Sequence, residues 1–488
     1  MPLSSDVKAF LAREHGHLID GTWTVNPGER INVYNPATGV EIATTASGGA
    51  AEIDQAVLAA RKAFQNPGWT GLSPSNRGRL LWRIADLIEE NAEQLAELEF
   101  LNNGKSKVQI LAGDITGAAE VFRYFAGWST KIYGRTMDLS RPTLHAYTLK
   151  EPVGVVGLIV PWNFPLLMAA WKLAPALAAG CACILKPAEE TPLTALRLGE
   201  LILEAGVSPG IVNVVTGYGH RAGAALAAHD DVNKIAFTGS TEVGKLIVSA
   251  AAGNLKKLSL ELGGKSPTII LPDADLKAAK VAAAGGIFFN AGQVCAAGSR
   301  LFVHRSLFDE VVDSVIQRAK AIRVGSGDEA GTEMGPLISQ KHLERVDGYV
   351  KGGVHQGAEL AAGGNRVDRS GYFFEPTVMI GTQADMRVVR EEIFGPVLVT
   401  DSFDDLEEVA RKANDSIYGL SASIWTRNLT AAHTLARKLQ AGSIRINAAG
   451  GLDPNLPFGG YKQSGWGREF GEEGLELYLQ TKSVLVGV

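Results

Sequence analysis

Between residues 77 and 101, leucine and isoleucine recur at three- and four-residue steps: Leu80, Leu81, Ile84, Leu87, Ile88, Leu95 and Leu98. That is the period of one amphipathic helix, and Asn102, Asn103 and Gly104 predict its stop. From Glu151 the texture changes to short runs rich in Val, Ile and Leu, at 153–160, 182–185, 212–215 and 234–237. Helix-like stretches at 192–205 and 223–229 separate them. Strands alternating with helices imply a parallel sheet closed by crossover helices, a doubly wound α/β unit. After Gly264 the alternation resumes with a strand at 268–271, a helix at 276–284 and a strand at 301–303. This second α/β block is expected to run to about residue 460. Residues 477–488 are short and β-like, a terminal strand suited to a neighbouring edge in this chain or in another subunit.

Composition narrows the class. A chain of 488 residues with 46% hydrophobic positions builds two or more domains with a large core, and is not disordered. Net charge is −5 with both signs spread throughout, so no basic stripe points to a nucleic-acid partner. The one apolar stretch of membrane length, 153–185, is interrupted by Pro161, Asn163, Pro165, Lys172 and Pro175, and predicts buried strand, loop and helix. Residues 1–8 hold no basic segment leading into an apolar core, so no secretory signal is expected. The three cysteines, Cys181, Cys183 and Cys295, are too few and too unevenly placed for a disulfide framework, and suit a reducing, cytoplasmic setting. Cys181 and Cys183 lack a nearby histidine or third cysteine, and no metal site is expected.

The chemistry concentrates in a few loops. Residues 290–300 read NAGQVCAAGSR, small side chains that leave room around the Cys295 sulfur. Such a cysteine is a nucleophile or a buried structural residue, and the segment alone does not choose. Residues 261–267, ELGGKSP, put the Glu261 carboxylate between an apolar run and a Gly-Gly turn: a general base if its pKa is raised, otherwise a solvated strand end. Residues 237–245, FTGSTEVGK, form a glycine- and hydroxyl-rich turn opening a helix, where unpaired N–H groups attract an anion. The spacing is neither the G-x-G-x-x-G fingerprint nor a phosphate loop, because Leu246 stands where the latter needs Ser or Thr. Residues 161–165, PWNFP, carry an amide suited to an oxyanion, and 186–189, KPAE, a cation and a carboxylate suited to ribose hydroxyls. Each of these also fits an ordinary surface turn.

Together with EEIFGP at 391–396 and PFGGYKQSG at 457–465, these segments occur in the order and spacing of the aldehyde dehydrogenase superfamily, which the chain resembles from about His17 to its end. The resemblance implies Cys295 as nucleophile, Asn163 as oxyanion donor and Glu261 as the base that activates water. It implies NAD as cofactor, with Phe237 among the binding residues, Lys186 and Glu189 at the adenosine ribose, and Ser240 with the turn from Gly239 to Gly244 near the pyrophosphate. Gly219 and Gly223 fall at the adenine end, and Pro161 and Trp162 along the groove. Glu392 would hold the nicotinamide ribose with Phe394 beside it, and Leu262 and Gly263 would pack near the nicotinamide.

The implied fold is two doubly wound parallel-sheet domains with a small β oligomerisation flap. Residues 1–130 and 151–263 would bind the dinucleotide, 264–460 would form the catalytic domain, and 131–150 with 461–488 the flap and terminal strand of a homodimer or homotetramer. Phe164, Met168, Trp171, Phe289, Val294, Ala296 and Phe458 would line the substrate pocket as an uncharged, largely aromatic box, with no partner for an anionic semialdehyde. Residues 448–451 are small, and 456–469 together with 10–13 most resemble phenylacetaldehyde dehydrogenases, so a hydrophobic aryl or terpenoid aldehyde is expected. Intact Cys295, Glu261 and Asn163 oppose a silent structural relative, and Glu261 opposes a CoA-acylating one.

Overall fold

The computed structural model describes residues 3–24, 28–451 and 453–487, so residues 1, 2, 25–27, 452 and 488 of the segments considered above lie outside the described residues. The four apolar runs become adjacent strands of one sheet, Val155–Ile159, Ala182–Lys186, Val212–Val214 and Lys234–Thr238, each buried along its length. Their burial on both faces explains why they read as continuous apolar runs rather than alternating ones.

The full order is Thr22–Thr24, His17–Ile19, Val212–Val214, Ala182–Lys186, Val155–Ile159, Lys234–Thr238, Lys257–Glu261 and Gly465–Trp466. The five strands from Val212–Val214 to Lys257–Glu261 are parallel, and the edge strands on both sides are antiparallel. The sheet is therefore mixed around a parallel centre.

The second sheet has seven strands, in the order Glu359–Ala362, Thr377–Ile380, Val397–Phe403, Arg300–His304, Pro267–Ile270, Ser421–Trp425 and Ser443–Ile446. All neighbours are parallel except the first pair. Alternation along its strands feeds two cores. Ile270, Leu301, Val303 and Trp425 pack on one side, and Ile269, Phe302, Ala422 and Ile424 on the other.

The long helix expected at 77–101 is two helices, Pro74–Glu90 and Ala92–Asn103. Asn91 separates them at φ −104° and ψ 18°, while its side chain donates to the Leu87 carbonyl across 2.8 Å. The apolar period runs through the break, so periodicity alone does not reveal it. The stop is as expected: Gly104 takes a left-handed φ of 87°.

The segment 153–185 resolves into strand, loop, the buried helix Pro165–Ala179 and strand, and no helix of the described residues is long and apolar enough to cross a membrane. Leu479–Gly487 pairs antiparallel with Leu144–Pro152 of the same chain, and Thr136–Met137 completes this small sheet. Residues ahead of it pack elsewhere: Gly465–Trp466 extends the first sheet, and Phe470, Leu475 and Tyr478 join its core.

Candidate active site

The loops singled out by their chemistry share one origin. Pro161 and Trp162 follow Val155–Ile159, Lys186 and Glu189 end and follow Ala182–Lys186, Gly239 and Ser240 follow Lys234–Thr238, and Glu261 ends Lys257–Glu261. They line up along the carboxyl ends of four neighbouring parallel strands, the edge where open α/β sheets form ligand crevices.

At one end of this edge Lys186 Nζ donates to Glu189 Oε2 across 2.9 Å, and the Gly219 N–H donates to Glu189 Oε1 across 3.3 Å. Burial pushes the Glu189 carboxyl up, but the Lys186 ammonium outweighs it and holds the group below its ordinary range. A Cβ at Gly223 would meet nothing within 4 Å, so the space beside it is open. Ser240 caps the helix Thr241–Ala251 by accepting from the Val243 N–H across 3.3 Å. Gly239 and Gly244 are required by the chain itself: a Cβ would run into the Phe237 ring at the first and lie 2.7 Å from Leu262 at the second.

At the other end Glu392 Oε1 accepts from the Gly264 N–H across 2.8 Å, and a Cβ at Gly263 would collide with its second oxygen. Burial raises this carboxyl to about 7. Phe394 sits at φ 61° with its ring edge-on to Trp162, centroids 5.3 Å apart. Two residues missed by the sequence reading hold this segment. His342 makes a 2.7 Å hydrogen bond to the Phe394 carbonyl and packs on Trp162, and Arg345 donates to the Glu392 carbonyl across 2.9 Å. Both project from the helix Gln340–His355, whose approach to this loop is a tertiary fact.

Cys295 is approached through a run of left-handed backbone, Asn290 at φ 48°, Ala291 at φ 52° and Gly292 at φ 70°. Gln293, fully buried, fastens this turn: its amide donates to the Asn290 carbonyl at 3.1 Å and the Pro336 carbonyl at 3.3 Å, and its oxygen accepts from the Ile338 N–H at 2.9 Å. Asn163 Nδ2 donates to the Gln293 carbonyl at 2.9 Å, which fixes the amide beside the turn with its second N–H uncommitted among the described residues. On the far side, a Cβ at Gly264 would collide with the Cys295 carbonyl oxygen. The cysteine loop and the glutamate loop therefore meet backbone to backbone.

Glu261 is buried, and neither of its oxygens has a hydrogen-bond partner among the described residues. Burial, then the nearby Glu469 charge, pushes its carboxyl well above the usual carboxylate range. Glu469 is itself engaged by Lys172, 2.6 Å away and equally buried. Burial and the charges of Glu261 and Glu392 push the Cys295 thiol up to about 12. The thiol thus rests protonated, with an unpartnered carboxyl as its neighbour.

A cavity of about 790 Å³ opens on Cys295. Phe164, Met168, Trp171, Phe289, Val294, Ala296 and Phe458 all line it. Phe164 stacks on Phe289 with centroids 6.4 Å apart, and Trp171 packs edge-on to Phe458 at 6.0 Å. Leu167, Val121 and Phe470 add apolar wall that the sequence reading missed. The expectation of an uncharged box is corrected: Arg445 and Glu120 also line the cavity. Arg445 sits in a short strand whose facing is decided by its pairing with Ser421–Trp425, which local sequence does not specify.

A family model described as the aldehyde dehydrogenase family matches residues 23–484. The phenylacetaldehyde dehydrogenase of Pseudomonas fluorescens is 48% identical over 97% of this chain and 96% of its own. The solved NAD+ complex of an aldehyde dehydrogenase from Bacillus cereus superposes with a TM-score of 0.99 at 48% identity, covering 100% of this chain and 99% of that one. Betaine aldehyde dehydrogenase from Staphylococcus aureus, in complex with NAD+, gives a TM-score of 0.97 at 42% identity over 99% of this chain and 97% of its own.

Proposed function

The chain belongs to the aldehyde dehydrogenase family and oxidises aldehydes, and from that premise we propose that it converts a hydrophobic aryl or terpenoid aldehyde, such as phenylacetaldehyde, to the acid with NAD as oxidant. The observation that carries this reading is the position of Cys295 in an aromatic-walled cavity, with the loops of the strand-end crevice converging behind it.

The Cys295 thiol gives up its proton to solvent in the cavity and, as thiolate, attacks the carbonyl carbon, while the carbonyl electron pair moves to oxygen. The uncommitted Asn163 N–H and the Cys295 backbone N–H receive that oxyanion. NAD, when bound, supplies the acceptor for the hydride that leaves as the adduct becomes a thioester. Glu261 then takes a proton from water, whose oxygen attacks the thioester carbon and expels the Cys295 thiolate as the acid forms. A carboxyl with a raised pKa is suited to that transfer near neutral pH.

The crevice fits a dinucleotide. The Lys186–Glu189 pair would hold the adenosine ribose and Glu392 the nicotinamide ribose. Pro161, Trp162 and Phe394 would flank the groove, and the Gly239–Gly244 turn would take the pyrophosphate. Glu189 opposes a 2′-phosphate and favours NAD over NADP. We assign the first sheet with its helices to cofactor binding, the second to catalysis, and the outer edge of Leu479–Gly487 to assembly as a homodimer or homotetramer.

The test is kcat/KM for phenylacetaldehyde, a terpenoid aldehyde, betaine aldehyde and succinate semialdehyde, with Cys295→Ala as control. Phenylacetaldehyde or the terpenoid aldehyde should lead, and Cys295→Ala should form no NADH. An aldehyde without an apolar body leading by more than about tenfold overturns the substrate class.

A further inference from the structure

Arg445 is a cation on the cavity wall whose charge is felt by Cys295, and among the described residues no carboxylate pairs with it. It lies in the strand Ser443–Ile446, paired in parallel with Ser421–Trp425 so that Arg445 stands opposite Ser423. Ile444 and Ile446 pack into the core on one face of the sheet, so Arg445 projects from the other, where the cavity lies. Its guanidinium carries five donors, yet among the described residues it makes no hydrogen bond, ion pair or ring contact. Other partly or fully buried arginines are engaged. Arg300 donates to the carbonyls of Lys265, Lys412 and Ala413, and Arg77 to those of Ala178 and Leu72.

The protein does not neutralise this charge from within the cavity. Asp114 is taken by Lys105 at 2.8 Å, and Glu120 lies exposed on the lining without an ion pair to Arg445. A partly desolvated guanidinium without a partner is costly, and the cost is recovered when an anion enters beside it. A carboxylate matches its fork with two parallel hydrogen bonds. The cavity that Arg445 shares with Cys295 is walled mainly by aromatic and aliphatic side chains, which suits a ligand with an apolar body.

We propose that Arg445 is a specificity-determining residue that binds a carboxylate carried by the aldehyde at the end remote from its carbonyl. The inference rests on the reading of this cavity as the aldehyde site, and it adds to the hydrophobic aldehydes proposed above those that also carry a carboxylate. Arg445 acts here on binding and orientation and takes no part in bond making.

The experiment compares 4-formylbenzoate, its methyl ester and the para-trimethylammonio benzaldehyde in wild type, Arg445→Met and Arg445→Lys. The ratio of kcat/KM for the acid to that for the ester should fall about 10- to 100-fold in Arg445→Met and recover in part in Arg445→Lys. Equal losses for acid and ester would overturn the proposal and make Arg445 an activator of the thiol; preference for the cationic aldehyde in wild type would overturn it in favour of Glu120. A second readout needs no turnover: benzoate should protect Cys295 from iodoacetamide in wild type and not in Arg445→Met, while benzamide protects both alike. If no aldehyde is oxidised by wild type, the functional reading fails, and the protection assay still decides the role of Arg445.

Discussion

Gly292 and Gly395 touch backbone to backbone: a Cβ added to Gly292 would collide with the Gly395 carbonyl oxygen. Gly292 is the last of three left-handed residues before Cys295, and Gly395 follows Glu392 and the left-handed Phe394. The loop that carries Cys295 and the loop that carries Glu392 are thereby in direct backbone contact. Gly292→Ala should cost about 2–4 kcal/mol of stability in denaturant titrations and nearly all activity, through strain at positive φ and loss of this contact. Gly348, in the middle of Gln340–His355 with nothing within 4 Å of its Cβ position, is the control. Gly348→Ala should gain about 0.5–1 kcal/mol and leave activity unchanged.

Glu261 raises the Cys295 thiol by its charge and, in the proposed mechanism, serves the later hydrolysis. Removing the charge while keeping the shape separates the two roles. Glu261→Gln should give a burst of NADH near one per active site and then stall. In the cofactor-free enzyme its Cys295 should react faster with iodoacetamide at mildly alkaline pH, because the thiol pKa falls when the neighbouring carboxylate is gone. Undiminished steady-state turnover would remove Glu261 as the base.

What the sequence made legible follows from where each signal is stored. The parallel strands were readable because both faces are buried, so five or so consecutive residues carry the message. The strand-end loops were readable because each chemical group sits within a few positions of its strand. The break at Asn91 was hidden, since the leucine period continues across it. Lys172 and Glu469 are 297 positions apart and meet only in the fold, as do His342 and Phe394. Arg445 was overlooked for a related reason: its isoleucine neighbours announce a strand, but which face it takes is set by pairing with a distant one.

In the proposed site, cofactor choice turns on the carboxylate at 189. Lys186 is held by Glu189 at 2.9 Å, so the cation that would attract a 2′-phosphate is neutralised. Glu189→Gln keeps the side-chain volume and releases Lys186. The kcat/KM ratio of NADP to NAD should rise by about tenfold or more, chiefly through a lower KM for NADP. An unchanged ratio would place the 2′-hydroxyl elsewhere.

Lys234 makes stability depend on pH in a direction opposite to that of a salt-bridged lysine. It is fully buried, donates to Ser259 Oγ across 2.8 Å and stacks over the Tyr478 ring at 5.1 Å. Burial, aided by the like charges of Lys172 and Lys257 and opposed by Glu469, takes its pKa from 10.5 down to about 7. Between those two values the unfolded chain holds a proton that the folded chain has lost, so stability rises with pH across the interval and the full penalty stands below about 7. Lys234→Met keeps an unbranched apolar stem and removes the titration. Its unfolding free energy, followed by denaturant at fixed temperature, should climb less steeply than that of wild type from pH 7 to 10, so that the variant's advantage is greatest at the acidic end. Lys265, also buried and also brought to about 7, titrates in both proteins and cancels in the difference. A difference that stays flat across this window would mean that Lys234 keeps its proton in the folded core, sustained by Glu469.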